Sequence, residues 1–169
     1  MQPRVRESEH RGTMNRIFLG PLAAAFKLGV ALRYAAYRRG WFKAQRLNRP
    51  VVSVGNLTVG GTGKTPLVMF IAERLLSRGW KPVILTRGYG RRGGADIISL
   101  APALPRVADA REVGDEAALL ARLLPEIPIV VCTDRYRAGR LAEERFGVDV
   151  HLLDDGFQYL ALARDVDVV

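Results

Sequence analysis

The chain has one cysteine, two histidines and, in its first fifty residues, only two acidic side chains. Each shortage excludes something. A single cysteine forms no internal disulfide, so nothing points to an oxidising compartment. Cys132 stands in the apolar run Ile129-Val130-Val131-Cys132 and reads as a small buried hydrophobe. With so few histidines and cysteines there is no zinc-ligand spacing, and neither an internal repeat nor a low-complexity tract is present. The chain also lacks an uninterrupted apolar stretch of the roughly twenty residues that a spanning helix needs. The longest candidate, residues 17–36, is broken by Lys27 and Arg33. No small-residue cleavage site follows it, so it does not read as a secretory signal either.

What is present describes a folded domain. Hydrophobic residues make up 49% and charged residues 25% of 169 positions, which suits one domain with a real core. The net charge of +9 lies entirely in residues 1–50, which hold eleven basic and two acidic side chains. The rest holds fifteen of each and is neutral. A nucleic-acid-binding body would carry its basic excess in the folded domain, so no nucleic-acid partner is expected. A basic, apolar leader with Tyr37, Trp41 and Phe42 beside Arg38, Arg39 and Lys43 fits an anionic lipid surface instead. The alternative for this segment is a helix packed on its own core with a solvated basic end. The expected organisation is a disordered leader over 1–13 with Met14 as an alternative start, a membrane-associating helical segment over 14–47 beginning near Gly20-Pro21, and a main domain over 48–169.

After Asn48-Arg49-Pro50 the texture changes to strand, glycine loop and helix. Val51–Val54 is short and β-branched, as a buried parallel strand should be. The loop Thr58-Val59-Gly60-Gly61-Thr62-Gly63-Lys64-Thr65 follows, and Pro66 suits the first turn of a helix running to about Arg78. This is the context of a phosphate-binding P-loop. The glycines let backbone N–H groups close around phosphate oxygens, and the helix N-terminus adds a partial positive charge. Lys64 would reach the β- and γ-phosphates of ATP, and the Thr65 hydroxyl would bind magnesium. The general pattern begins with glycine where this chain has Thr58.

A carboxylate should follow at the end of another buried strand, and the apolar run 148–153 ends in Asp154-Asp155-Gly156. Between the two motifs lie expected strands at Pro82–Thr86 and Ile129–Cys132. Arg87-Gly88-Tyr89-Gly90-Arg91-Arg92 follows the first of these, and Gly114-Asp115-Glu116 precedes a helical run at 117–124. The polar stretch 133–137 leads into a helix ending near Phe146. Alternating strands and helices predict an α/β fold, a doubly wound parallel sheet of the P-loop NTPase type with functional loops at the carboxyl ends of its strands. His151 lies inside a strand and reads as structural.

The ordered motifs VSVGNLTVGGTGKTP, LTRGYGRR, VGDEAALLA, DRYRAG and LLDDGFQY closely resemble the tetraacyldisaccharide 4′-kinase family of lipid A biosynthesis. The resemblance runs from about Leu22 to Val169. It implies an enzyme on the cytoplasmic face of the bacterial inner membrane that moves the ATP γ-phosphate onto the 4′-hydroxyl of a lipid-linked disaccharide. It further implies that Thr58 through Thr65 form the nucleotide loop, without a leading glycine. Asp115 would help take the proton from the sugar hydroxyl, and Glu116, Asp154 and Asp155 would help position magnesium. Arg87, Arg91, Arg92 and Arg135 are candidates for phosphate contacts, with a solvated basic loop as the alternative for the first three. Two departures stand out. Tyr159 replaces the histidine of DDGFQH, and tyrosine is a poor base near neutral pH. The family's chain is also much longer and supplies a second domain with a further catalytic histidine, so this sequence is expected to be a fragment. Two other readings compete. A P-loop switch or assembly ATPase would have a signature lysine where this chain has Val59, and a decayed remnant would bind lipid or nucleotide without turnover.

Overall fold

A computed structural model describes residues 28–55, 63–92, 95–102 and 109–169. The chain divides into two compact units, 1–43 and 44–169. In the first, residues 28–38 are helical (α1). Gly40 takes a left-handed φ of 75°, and the Trp41 N–H turns back to the Ala36 carbonyl at 2.9 Å. The rings of Tyr37 and Phe42 meet at 5.5 Å, and the Arg39 guanidinium lies over Trp41. Leu28, Leu32, Trp41 and Phe42 are exposed. No described helix is long and apolar enough to cross a membrane. The expected helix start at Gly20-Pro21 and the leader lie outside the described residues.

The second unit begins earlier than the sequence suggests, because residues 44–47 are already bound to it. Gln45 pairs with Leu162, and Leu47 is buried against Gly139, where a Cβ would collide with the Leu47 methyl groups. Its strands are β1 (Val51–Val54), β2 (Pro82–Thr86), β3 (Ile97–Leu100), β4 (Ile129–Cys132), β5 (Val150–Asp154) and β6 (Val166–Val168). Its helices are α2 (Lys64–Ser77), α3 (Ala110–Val113), α4 (Asp115–Leu123) and α5 (Arg135–Phe146). The sheet order is β3-β4-β2-β5-β1-β6, and every pairing is parallel except that of β3 with β4.

Side chains alternate across the sheet, as the two-residue period of a strand requires. Val54, Ile84, Ile129, Val131 and Leu152 face α2 and α4, burying Val68, Ala72, Ala117 and Leu120. Val51, Val83, Leu85, Val130, Cys132 and Leu153 face the other way, with Ala138 and Ala142 of α5 and with Leu162. The sheet is thus covered on both faces, which explains its near-continuous apolar strands. The antiparallel edge strand β3 was not expected. Its residues are only half-buried, so the sequence there lacks the strong apolar run of the inner strands. Cys132 and His151 are fully buried, in accord with their structural readings.

Candidate active site

The topology brings the carboxyl ends of β1 and β5 side by side, with Val54 in register with Asp154. The crevice beyond the carboxyl ends of such a sheet is where α/β folds bind ligands. Gly63 precedes α2 in the left-handed region at φ 77°, and among the described residues no side chain caps this helix. Its first turn also holds no acidic residue. The leading N–H groups of α2 are therefore open to an anion. Thr58, Val59, Gly60, Gly61 and Thr62, the rest of the expected nucleotide loop, lie outside the described residues.

Around this helix end the fold assembles several of the expected residues. The Lys64 Nζ donates to Asp155 Oδ1 at 2.7 Å, and this contact raises the lysine pKa. The Thr65 hydroxyl donates to Glu116 Oε1 at 2.6 Å. Asp154 is 1% exposed, and among the described residues neither of its carboxylate oxygens has a hydrogen-bond partner. Burial, with Glu116 and Asp155 close by, pushes its pKa up to about 7, against the opposing pull of Lys64 and Arg135. Asp155 itself is exposed and has a left-handed φ of 54°. Asp115 is exposed as the first residue of α4, and among the described residues its side chain makes no hydrogen bond. Gly114, at φ 92°, turns the chain sharply from α3 into α4, and a Cβ there would lie 2.7 Å from the Tyr89 carbonyl oxygen. The loop after β2 and the acidic end of α4 are in this way packed together.

The candidate arginines divide. Arg135 is buried at the carboxyl end of β4, donating to the Cys132 carbonyl at 2.7 Å, and burial lowers its pKa. Arg87 and Arg92 are exposed, while Arg91 is half-buried with its Nη2 toward the Asp96 carbonyl. The stretch 133–137 proves to be a capped helix start, since Asp134 accepts from the Tyr136 and Arg137 N–H groups. The Tyr159 hydroxyl joins this cap. It accepts from the Arg135 N–H at 3.2 Å and donates to Asp134 Oδ1 at 3.3 Å, with the Arg135 guanidinium 5.5 Å from the ring centre. Sequence reasoning passed over Arg164, which binds the carbonyls of Gly156 and Phe157. Nothing in its local sequence, a lone arginine after the apolar run Leu160-Ala161-Leu162-Ala163, signals that contact. It also did not foresee that Glu116 would accept the Thr65 hydroxyl.

An uncapped helix N-terminus, a lysine at its first position and a partnerless buried carboxylate together decide what the crevice suits, a phosphate ester with a cation. A family model for tetraacyldisaccharide-1-P 4′-kinase matches residues 15–169. The chain belongs to this family.

Among its curated relatives, the tetraacyldisaccharide 4′-kinase of Geobacter metallireducens is 47% identical over 153 residues, covering 89% of this chain and 45% of the relative. That of Koribacter versatilis is 48% identical over 157 residues, covering 89% and 47%. A crystal structure of LpxK from Aquifex aeolicus in complex with ATP superposes with a TM-score of 0.81 at 38% identity, covering 91% of this chain and 48% of that one. The chain thus spans about half the length of the tetraacyldisaccharide 4′-kinases it matches.

The residues fit a divalent cation of the kind a kinase uses. Among the described residues no three acidic, histidine or cysteine side chains form a cation-binding group. Magnesium, however, is ordinarily held through one or two carboxylates, with phosphate oxygens and waters completing its shell. Asp154 would meet that need, because a buried carboxylate without a donor among the described residues is costly unless a proton or a cation neutralises it.

Proposed function

We propose that this chain is the nucleotide-binding half of an ATP-dependent kinase that phosphorylates the 4′-hydroxyl of a tetraacyl disaccharide 1-phosphate, a lipid A precursor. The observation that carries the reading is the partnerless Asp154 carboxylate beside Lys64 and Thr65 at the open end of α2. Family membership supports the substrate class, and the ATP in the Aquifex aeolicus structure supports the donor.

In this reading the glycine-rich sequence from Thr58 to Thr65 would bind the phosphate chain. Lys64 leaves Asp155 to meet the β- and γ-phosphate oxygens, an exchange of one anionic partner for another. Asp154 and the Thr65 hydroxyl would hold magnesium, with Glu116 orienting that hydroxyl and Asp155 completing the acidic rim. Magnesium, when bound, supplies charge neutralisation across the phosphate oxygens. Asp115, exposed at the start of α4, accepts the proton of the sugar hydroxyl as it attacks. Phosphoryl transfer depends mainly on positioning and charge neutralisation, so no covalent intermediate on the protein is invoked.

The basic leader and exposed Trp41 and Phe42 support docking on the cytoplasmic face of the inner membrane, where the lipid-linked acceptor resides. The length of the relatives supports a further C-terminal half that completes the acceptor site.

The test is magnesium-ATP-dependent transfer to a detergent-solubilised tetraacyl disaccharide, run with this chain and with its gene extended to the natural stop codon. Transfer by the long form is expected. In that form Lys64→Ala and Asp115→Asn should each lose at least about a hundredfold in rate while remaining folded. Wild-type rates in either variant would refute its assigned role. A long form that transfers nothing would favour a nucleotide switch or an inactive remnant.

A further inference from the structure

Arg164 follows β5 by ten positions, yet its guanidinium returns to the loop that leaves that strand. Its side chain is largely buried. Nη1 lies 2.6 Å from the Phe157 carbonyl oxygen and 3.1 Å from that of Gly156. Nε pairs with Asp167 Oδ1 on β6 at 3.1 Å, and the guanidinium lies over the Phe157 ring at 5.8 Å. Two consecutive carbonyls converging on one cation is a curled backbone that repels itself when the cation is removed.

That curl is tied to the site on both sides. Asp155, next in the chain toward β5, has the unfavourable left-handed φ of 54° and receives Lys64. The Gly156 N–H is fixed to the Val54 carbonyl at 3.2 Å, and there is no room for a Cβ between Leu153 and Ser53. Phe157 packs so closely on Gly55 that a Cβ there would collide with it. Gly55 is the first residue of the connection from β1 to the N-terminus of α2. One guanidinium therefore braces the turn that presents Asp154 and Asp155.

We propose that Arg164 is a positioning residue for the magnesium–nucleotide site, acting through the Gly156 and Phe157 carbonyls. The proposal rests on the kinase reading above. Its measure is the gain in ATP affinity on adding magnesium, taken by calorimetry on the full protein with no acceptor present. Arg164→Met, which keeps the apolar stem, should leave magnesium-free ATP binding unchanged and cut the magnesium gain about tenfold, the usual effect of losing a partner that orients metal ligands. Arg164→Lys, with one ammonium to share between two carbonyls, should fall between Met and wild type. Asp167→Asn loosens the same guanidinium from β6 without unpairing the carbonyls, so it should lower Tm and keep the gain.

A wild-type magnesium gain in whichever Arg164 variant folds would overturn the proposal. So would equal losses in Arg164→Met and Asp167→Asn, which would make the arginine a mere staple. If the wild type itself shows no magnesium-dependent ATP binding, the kinase reading fails, and this proposal with it.

Discussion

Asp154 is the residue at which folding and function pull apart. Its carboxyl is buried without a donor among the described residues, and its pKa of about 7 stands well above the ordinary value of 3.8. Between roughly these two values the unfolded chain has lost the proton while the folded one keeps it. The Asp154 contribution to the stability of the metal-free protein therefore falls as pH rises through that window, while His151, whose pKa burial lowers from its ordinary 6.5, contributes in the opposite sense. Asp154→Asn should remove this slope, and thermal melts from pH 4 to 8 in the presence of a chelator will show whether it does. Magnesium-ATP should raise the wild-type Tm at pH 8 and raise that of the Asn variant much less. The Lys64–Asp155 pair differs in kind. Asp155 is mostly exposed, so the contact contributes little to stability and is easily exchanged for a phosphate. Tyr159 is a third case. At the end of Asp154-Asp155-Gly156-Phe157-Gln158 this chain has a hydroxyl that bridges the Asp134 carboxylate and the Arg135 N–H. Its pKa is raised, chiefly by burial, so it remains a neutral donor and acceptor rather than a base.

At the scale of elements, the site is a meeting of helix ends with strand ends. The N-terminus of α2 is left without a side-chain cap, whereas α5 is capped by Asp134 through two backbone N–H groups. The contrast is between a helix end free for a ligand and one that serves the fold. Asp134→Ala should cost about 1 kcal/mol in chemical denaturation, the usual effect of losing such a cap. It should also loosen Arg135 and Tyr159, which share the turn. The short α3 and the glycine at 114 set the direction of α4, so that Glu116 reaches Thr65 across the crevice. β6 takes part as well, since its Val168 carbonyl accepts the Gly55 N–H and its Asp167 anchors Arg164.

At the scale of the whole molecule the net charge of +9 gathers toward one end: the first unit, residues 1–43, holds nine basic and two acidic side chains, +7, and the second unit the remaining +2. If the first unit docks on lipid, charge reversal at Arg38, Arg39 and Lys43 should weaken co-sedimentation with anionic vesicles by about tenfold or more and leave ATP binding unchanged. Equal sedimentation by the variant would refute lipid docking. Much of this organisation was legible in the residues alone. Strands 51–54, 82–86 and 129–132 were readable because a strand buried on both faces must be a short, dense apolar run, and the P-loop because phosphate binding demands glycines and a lysine at set spacing. The sequence by itself thus determined the fold class, the family and the residue types of the site. It could not show that β3 runs antiparallel, because a half-buried edge strand has weak patterning. Only the tertiary structure decided that Asp154 lacks a donor, that Glu116 holds Thr65 and that Arg164 braces the turn. Those contacts join groups far apart in the chain or turned back across a loop, and their existence depends on strand order and backbone direction, which no local pattern encodes.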